Sequence, residues 1–161
     1  MSHYYRTFYN RGPMERVSED EASRIGVYVI EETTPIHRYR RFFEGEFDSV
    51  IYPEMNNPDG ALADLKSRHE HVPAIIYSPP EPTESGGYKW REWHVNSDAM
   101  VEWIAEEEFR ADTSPVRSSR YTPSGELKRF TDYVYNHEDV LIELVHHDGD
   151  GHVTMTEEVD P

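Results

Sequence analysis

Short runs of aromatic and β-branched residues, each cut off by Gly, Pro, Asn or Asp, recur along this chain. Branched and aromatic side chains fit a pleated, half-buried surface, and turn residues between such runs force the backbone to reverse. The pattern predicts strands at 4–9, 27–31, 36–43, 47–52, 74–77, 88–95, 129–135, 140–146 and 152–156. Two segments share a form: Arg38-Tyr39 ahead of Gly45-Glu46-Phe47, and Arg120-Tyr121 ahead of Gly125-Glu126-Leu127. Both read as hairpins whose glycine takes up positive φ. Asp148-Gly149-Asp150-Gly151 marks another reversal, so strand, turn and strand succeed one another as an antiparallel meander.

Two or three short helices are expected beside the sheet, from three candidate segments. Ser18 with Glu21 forms a capping box and Gly26 is a natural stop, which predicts a helix over 19–25. Pro58 fits the first turn of a second helix running through His69, with Leu62 and Leu65 inward. Ser97 caps a third over 97–110, where Met100, Trp103 and Ile104 fall three and four apart. Loops are expected at 10–13, 33–35, 78–87 and 110–119. The length of 161 residues suits one core, so the fold class is a single α+β domain over 1–161. It is mostly antiparallel sheet, with a Pro/Gly-rich surface loop at 78–87 that marks a possible division into two lobes.

Mean hydropathy is low at −0.83, but 12% of the residues are aromatic, which a disordered chain does not carry. With no cysteine, disulfides, thiolate zinc sites and cysteine nucleophiles are excluded together. Cysteine-free composition and a start without an apolar leader point to a cytoplasmic protein, and no apolar run is long enough to span a bilayer. The formal charge is −16, and nine acids fall after Arg129, the last cation in the sequence. Such acidity opposes direct nucleic-acid binding, which runs on phosphate neutralisation, and attracts cations instead.

No Gly-rich phosphate loop, Gly-x-Ser-x-Gly elbow, His-Glu-x-x-His helix or dinucleotide fingerprint is present, and carboxylate pairs are too abundant to single out a glycosidase site. His146, His147 and His152 surround the Asp-Gly-Asp-Gly turn as weak metal candidates. Alternation sends the first two to opposite faces, and Val159 stands where a calcium loop needs Glu. His69 and His71 suit a helix end without further purpose. Arg38 and Arg40, with Trp90 and Trp93, form a candidate pocket for a small anionic molecule, by composition alone, and support the alternative expectation of a ligand-binding or enzymatic domain. The leading expectation is a non-catalytic acidic protein, inhibitor- or immunity-like or mimicking a nucleic acid, without a cofactor. It occludes a basic partner such as a toxin or a nucleic-acid-binding protein. Its expected docking surface comprises Glu102, Glu106, Glu107, Asp132, Glu138, Asp139, Glu143, Asp148 and Asp150.

Overall fold

The computed structural model describes residues 3–9 and 12–159, with backbone alone at 7–9, 12 and 14. Ser18 accepts the Glu21 amide at 3.2 Å and Gly26 closes the turn at φ 77, so the first helix, α1, spans Glu19–Ile25 as its caps dictate. The second, α2, is Asp59–Arg68, entered at Pro58 and left through His69 in the left-handed region. The expected third helix does not form. Residues 97–100 belong to a reversal, and Val101–Phe109 is a strand. The spacing of Met100, Trp103 and Ile104 imitated a helical stripe, but Met100 is 56% exposed while Ile104 and its strand neighbour Ala105 are buried. An equally good alternation, Val101, Trp103 and Ala105 against Glu102, Ile104 and Glu106, lets β pairing prevail.

Among the described residues the remaining elements are strands: β1 His3–Tyr9, β2 Gly12–Val17, β3 Val27–Glu32, β4 Arg38–Phe43, β5 Glu46–Tyr52, β6 Ala74–Tyr77, β7 Glu81–Pro82, β8 Tyr88–Val95, β9 Val101–Phe109, β10 Pro115–Tyr121, β11 Leu127–Tyr135, β12 Leu141–Asp148 and β13 Val153–Glu158. The mostly antiparallel expectation holds. Strand β2 occupies part of the expected loop at 10–13, whose residues 10 and 11 lie outside the described residues. Strand β10 takes the second half of the expected loop at 110–119, whose first half is a turn, and β7 lies within the one at 78–87. No helix among the described residues is long and apolar enough to cross a membrane.

The chain divides into two compact units, 1–79 with 93–101, and 80–92 with 102–161. In the first unit the strand order is β6-β5-β4-β3-β1-β2. All of these pairs are antiparallel except β5–β6, where Val50, Ile51 and Tyr52 lie beside Ala74, Ile75 and Ile76. A parallel neighbour requires a crossover, which α2 supplies. Ala61 and Leu65 of α2 are fully buried, as are Val50, Tyr52 and Ile76.

A buried ion network holds this unit. Arg38, 1% exposed, gives Nε to Glu32 at 2.7 Å and forks onto both oxygens of Glu70 at 2.5 and 2.9 Å. Its Nη1 stands 3.4 Å from Asp64, which also accepts from Tyr52 at 2.8 Å and Arg68 at 2.9 Å. One guanidinium thus ties β3, β4, α2 and the segment after α2 together. Burial alone disfavours its charge, but the hydrogen bonds it donates to Glu70, Tyr52 and Glu32 more than offset this and hold it cationic. Removing it strands carboxylates in the interior. Arg38→Met therefore costs about 3–5 kcal/mol by urea denaturation, and Arg38→Lys, which lacks the planar fork, recovers only part of that.

From residue 83 onward one device is repeated. Six five-residue reversals, starting at Thr83, Asn96, Arg110, Thr122, Asn136 and Asp148, share the same two backbone bonds. The first residue donates to the carbonyl of the fifth, and the fourth donates back to the carbonyl of the first. The fourth residue always has positive φ: Gly86, Ala99, Thr113, Gly125, Asp139 and Gly151. Asn96, Asn136 and Asp148 also accept the amides of the third and fifth residues on their side-chain oxygen, the local bonding that suits Asx residues to turns. In the last four hairpins one extra residue, Val116, Lys128, Ile142 or Thr154, bulges two positions past the turn. Strands β9 to β13 thereby lie in sequence order as an up-and-down meander. Thr113, exposed and β-branched at φ 74, is the poorest fit to its place. Thr113→Gly is expected to raise the stability of the second unit by about 1 kcal/mol in thermal or urea unfolding.

Candidate functional site

Register decides what each face of the meander displays, because directly opposed residues share a face and successive residues alternate. One row across all five strands is Glu107, Ser118, Thr131, His146 and Met155. The next row on that face is Ala105, Arg120, Arg129 and Asp148. On the other face Glu106, Ser119, Phe130, His147 and Val153 are aligned, flanked by Glu108, Arg117, Asp132, Val145 and Thr156. Val134, Glu143 and Glu158 continue it, and alternation puts Glu102 there too. The second face is therefore acidic, and the first is a groove face.

The acidic face gathers four of the acids expected to act together: Glu102, Glu106, Asp132 and Glu143. Internal cations take up two of them. Glu106 meets Arg91 at 3.1 Å and Lys89 at 3.8 Å. Asp132 accepts from Arg117 Nε at 2.6 Å and stands 3.3 Å from His147. Glu102, Glu143 and Glu158 make no ion pair among the described residues, so the open charge lies toward the two ends of this face. Glu138, Asp139 and Asp150 sit in turns, while Asp148 ends β12 on the groove-face row and opens the last turn. Asp139 pairs with Arg110 at 2.8 Å, while the Asp148 carboxyl, held below its usual range first by the His152 amide, organises its own turn. Asp148, Asp150 and His152 bring their ligand atoms within 4.8 Å of one another. His146 and His147 do not join them: one faces the groove bonded to Thr131 at 2.9 Å, and the other stacks on Phe130 on the acidic face, with centroids 4.3 Å apart.

Glu107 departs from its neighbours and turns to the groove face. Ser118 donates to it at 2.7 Å. Burial pushes its carboxyl up to about 7, aided by the charge of Glu92 and opposed by the Ser118 bond. The folded state therefore holds a proton that the unfolded chain releases near its ordinary value of 4.5. Since the native state binds more protons across that interval, Glu107 lowers stability as pH rises from about 4.5 to about 7, and the loss is complete above it. Glu107→Gln keeps an acceptor for Ser118 without the charge. It is expected to stabilise the protein by on the order of 2 kcal/mol at pH 8, with little change at pH 4, in pH-dependent thermal unfolding.

The residues expected from composition to form an anion pocket fall in both units, Arg38, Arg40 and Trp93 in the first and Trp90 in the second. The Arg38 guanidinium is enclosed by its own carboxylates, and Arg40 lies over Phe47 at 4.6 Å and near Glu32 at 3.5 Å. Trp90 stacks on Phe109 with centroids 4.5 Å apart, its indole N–H donating to Glu92 at 2.9 Å. A groove of about 610 Å³ runs over the rows bearing Arg120, Arg129 and His146, and the sequence alone does not single out those two arginines. The only signal for them is the Arg120-Tyr121 hairpin form, which says nothing of a cavity. Comparison of the chain with protein-family models, curated proteins and solved structures found no match.

Proposed function

We propose that this protein is a non-catalytic binding module whose C-terminal meander docks a partner with a basic surface. The second unit carries eighteen acidic residues against seven basic ones, and so holds most of the chain's formal charge of −16. The observation that carries the reading is the register, which aligns Glu106, Asp132, Glu143 and Glu158 on one face of a sheet, where alternation along β9 also puts Glu102. Carboxylates arrayed on a hydrogen-bonded lattice keep a fixed spacing, which gives a complementary cationic surface something to match. Their shared field also speeds encounter. A toxin or a nucleic-acid-binding protein has the required basic surface, and occlusion of that surface is the function proposed.

The docking contribution rests on the acids that internal cations leave open. In affinity capture at about 0.1 M NaCl, where the Debye length is about 10 Å, the protein retains a basic partner and releases it at about 1 M. The combined Glu102→Gln, Glu143→Gln and Glu158→Gln variant binds that same partner roughly tenfold more slowly, whereas neutralising the exposed Asp20, Glu44 and Glu46 of the first unit has little effect. If no basic protein is retained at low salt, or both variants weaken binding equally, the docking face is misassigned.

A further inference from the structure

The groove face holds a charge arrangement that the docking reading does not use. Arg120 on β10 and Arg129 on β11 are directly opposed in register, so two guanidinium side chains leave the sheet side by side. Like charges in opposed positions destabilise a sheet. In a chain with 32 acidic residues, neutralising such a pair internally would be easy. Eight arginines, Arg6, Arg38, Arg40, Arg41, Arg68, Arg91, Arg110 and Arg117, each stand within 4.0 Å of a carboxylate, whereas Arg16 and Arg24 of the first unit make no ion pair among the described residues. Arg120 and Arg129 make no ion pair among the described residues.

Among the described residues three acids share this face, and each has a neighbour of its own: Asp148, Glu107 and Glu157, the last 3.5 Å from His146 Nε2. Asp148 lies across from Arg129, but its Oδ1 accepts the amides of Asp150 and His152, and its Oδ2 faces His152 at 3.2 Å. Glu107 is bonded to Ser118. Arg120 lies over Trp103, its guanidinium carbon 4.1 Å from the ring centroid. His146 lies beside the pair: its Nδ1 is 2.9 Å from the Thr131 hydroxyl, and its buried Nε2 has no hydrogen-bond partner and stands 3.5 Å from Glu157.

We infer that this groove is a binding site for a small phosphate-type oxyanion, clamped between Arg120 and Arg129 with His146 beside it. A tetrahedral dianion accepts from two guanidinium forks at once and removes the repulsion between them, and planar forks are the donors best matched to it. The volume of about 610 Å³ exceeds that of a phosphate ion, so a monoester with an organic group also fits above Trp103 and Met155.

Inorganic phosphate is the probe that tests the clamp, with sodium chloride at matched ionic strength as the control. Phosphate is expected to raise the melting temperature of the parent protein saturably, beyond the chloride control, with a matching signal by isothermal calorimetry. Arg129→Gln and Arg120→Gln are expected to melt higher than the parent without phosphate, because the like-charge contact is gone, and to lose the phosphate response. Arg117→Gln, which alters the opposite face, retains the response. The assignment is overturned if phosphate stabilises the parent no more than chloride does, or if Arg129→Gln responds as the parent does. A correctly folded Arg129→Gln variant with an undiminished calorimetric signal overturns it equally.

Discussion

Everything on the C-terminal sheet depends on a five-residue reversal closed by two backbone hydrogen bonds with its fourth residue at positive φ. Because a strand alternates with period two, the turn that fixes register also fixes which side chains share a face. A slip of one residue would carry Glu106 to the groove and Glu107 to the acidic face, and would separate Arg120 from Arg129. The turns are therefore more than connections. They determine the charge map of the unit, and the bulge two residues past the last four turns resets the alternation at the same place in each hairpin.

Arginine shows how far identity is from role here. Arg38 and Arg120 both precede tyrosine and both stand on a strand ahead of a glycine turn, yet they meet different fates. Arg38 lies under α2, where Asp64 and Glu70 reach it, and becomes a structural cross-brace whose charge is fully compensated. Arg120 projects from a sheet with no helix of its own in that unit, leans on Trp103, and keeps its hydrogen-bonding edge for a guest. What separates them is the crossover that a parallel strand pair demands in the first unit and that an antiparallel meander does not.

Much of the fold was legible from local chemistry. Ser18, Glu21 and Gly26 wrote α1 with its ends, and the runs at 74–77 and 88–95 became β6 and β8 with those bounds. The failure at 97–110 is equally physical. Asn96 signals a turn and Ser97 a helix cap, and the glutamates that follow favour a helix on propensity. The deciding contribution is pairing with neighbouring strands, which no local window contains. Strand β10 was hidden by Pro115 and its serines, which read as loop but tolerate a strand beginning at proline. The candidate site was legible only in part. Acidity was visible as composition, whereas its division into an aligned face, a buried Glu107 and turn-bound Asp148 required the register. The arginine pair was invisible because Arg120 and Arg129 are nine positions apart and meet only across a hairpin.

Register is therefore the quantity to measure, and the chain's lack of cysteine makes this direct. Thr131 and His146 are opposed on the groove face, their side chains 2.9 Å apart, whereas His147 projects from the other side. With cysteines at 131 and 146, mild oxidation is expected to close a disulfide in the folded protein, and with cysteines at 131 and 147 both thiols should stay free. Closure of the second pair in place of the first would mean that the strands are offset by one residue, and both the acidic face and the arginine clamp would be lost with it.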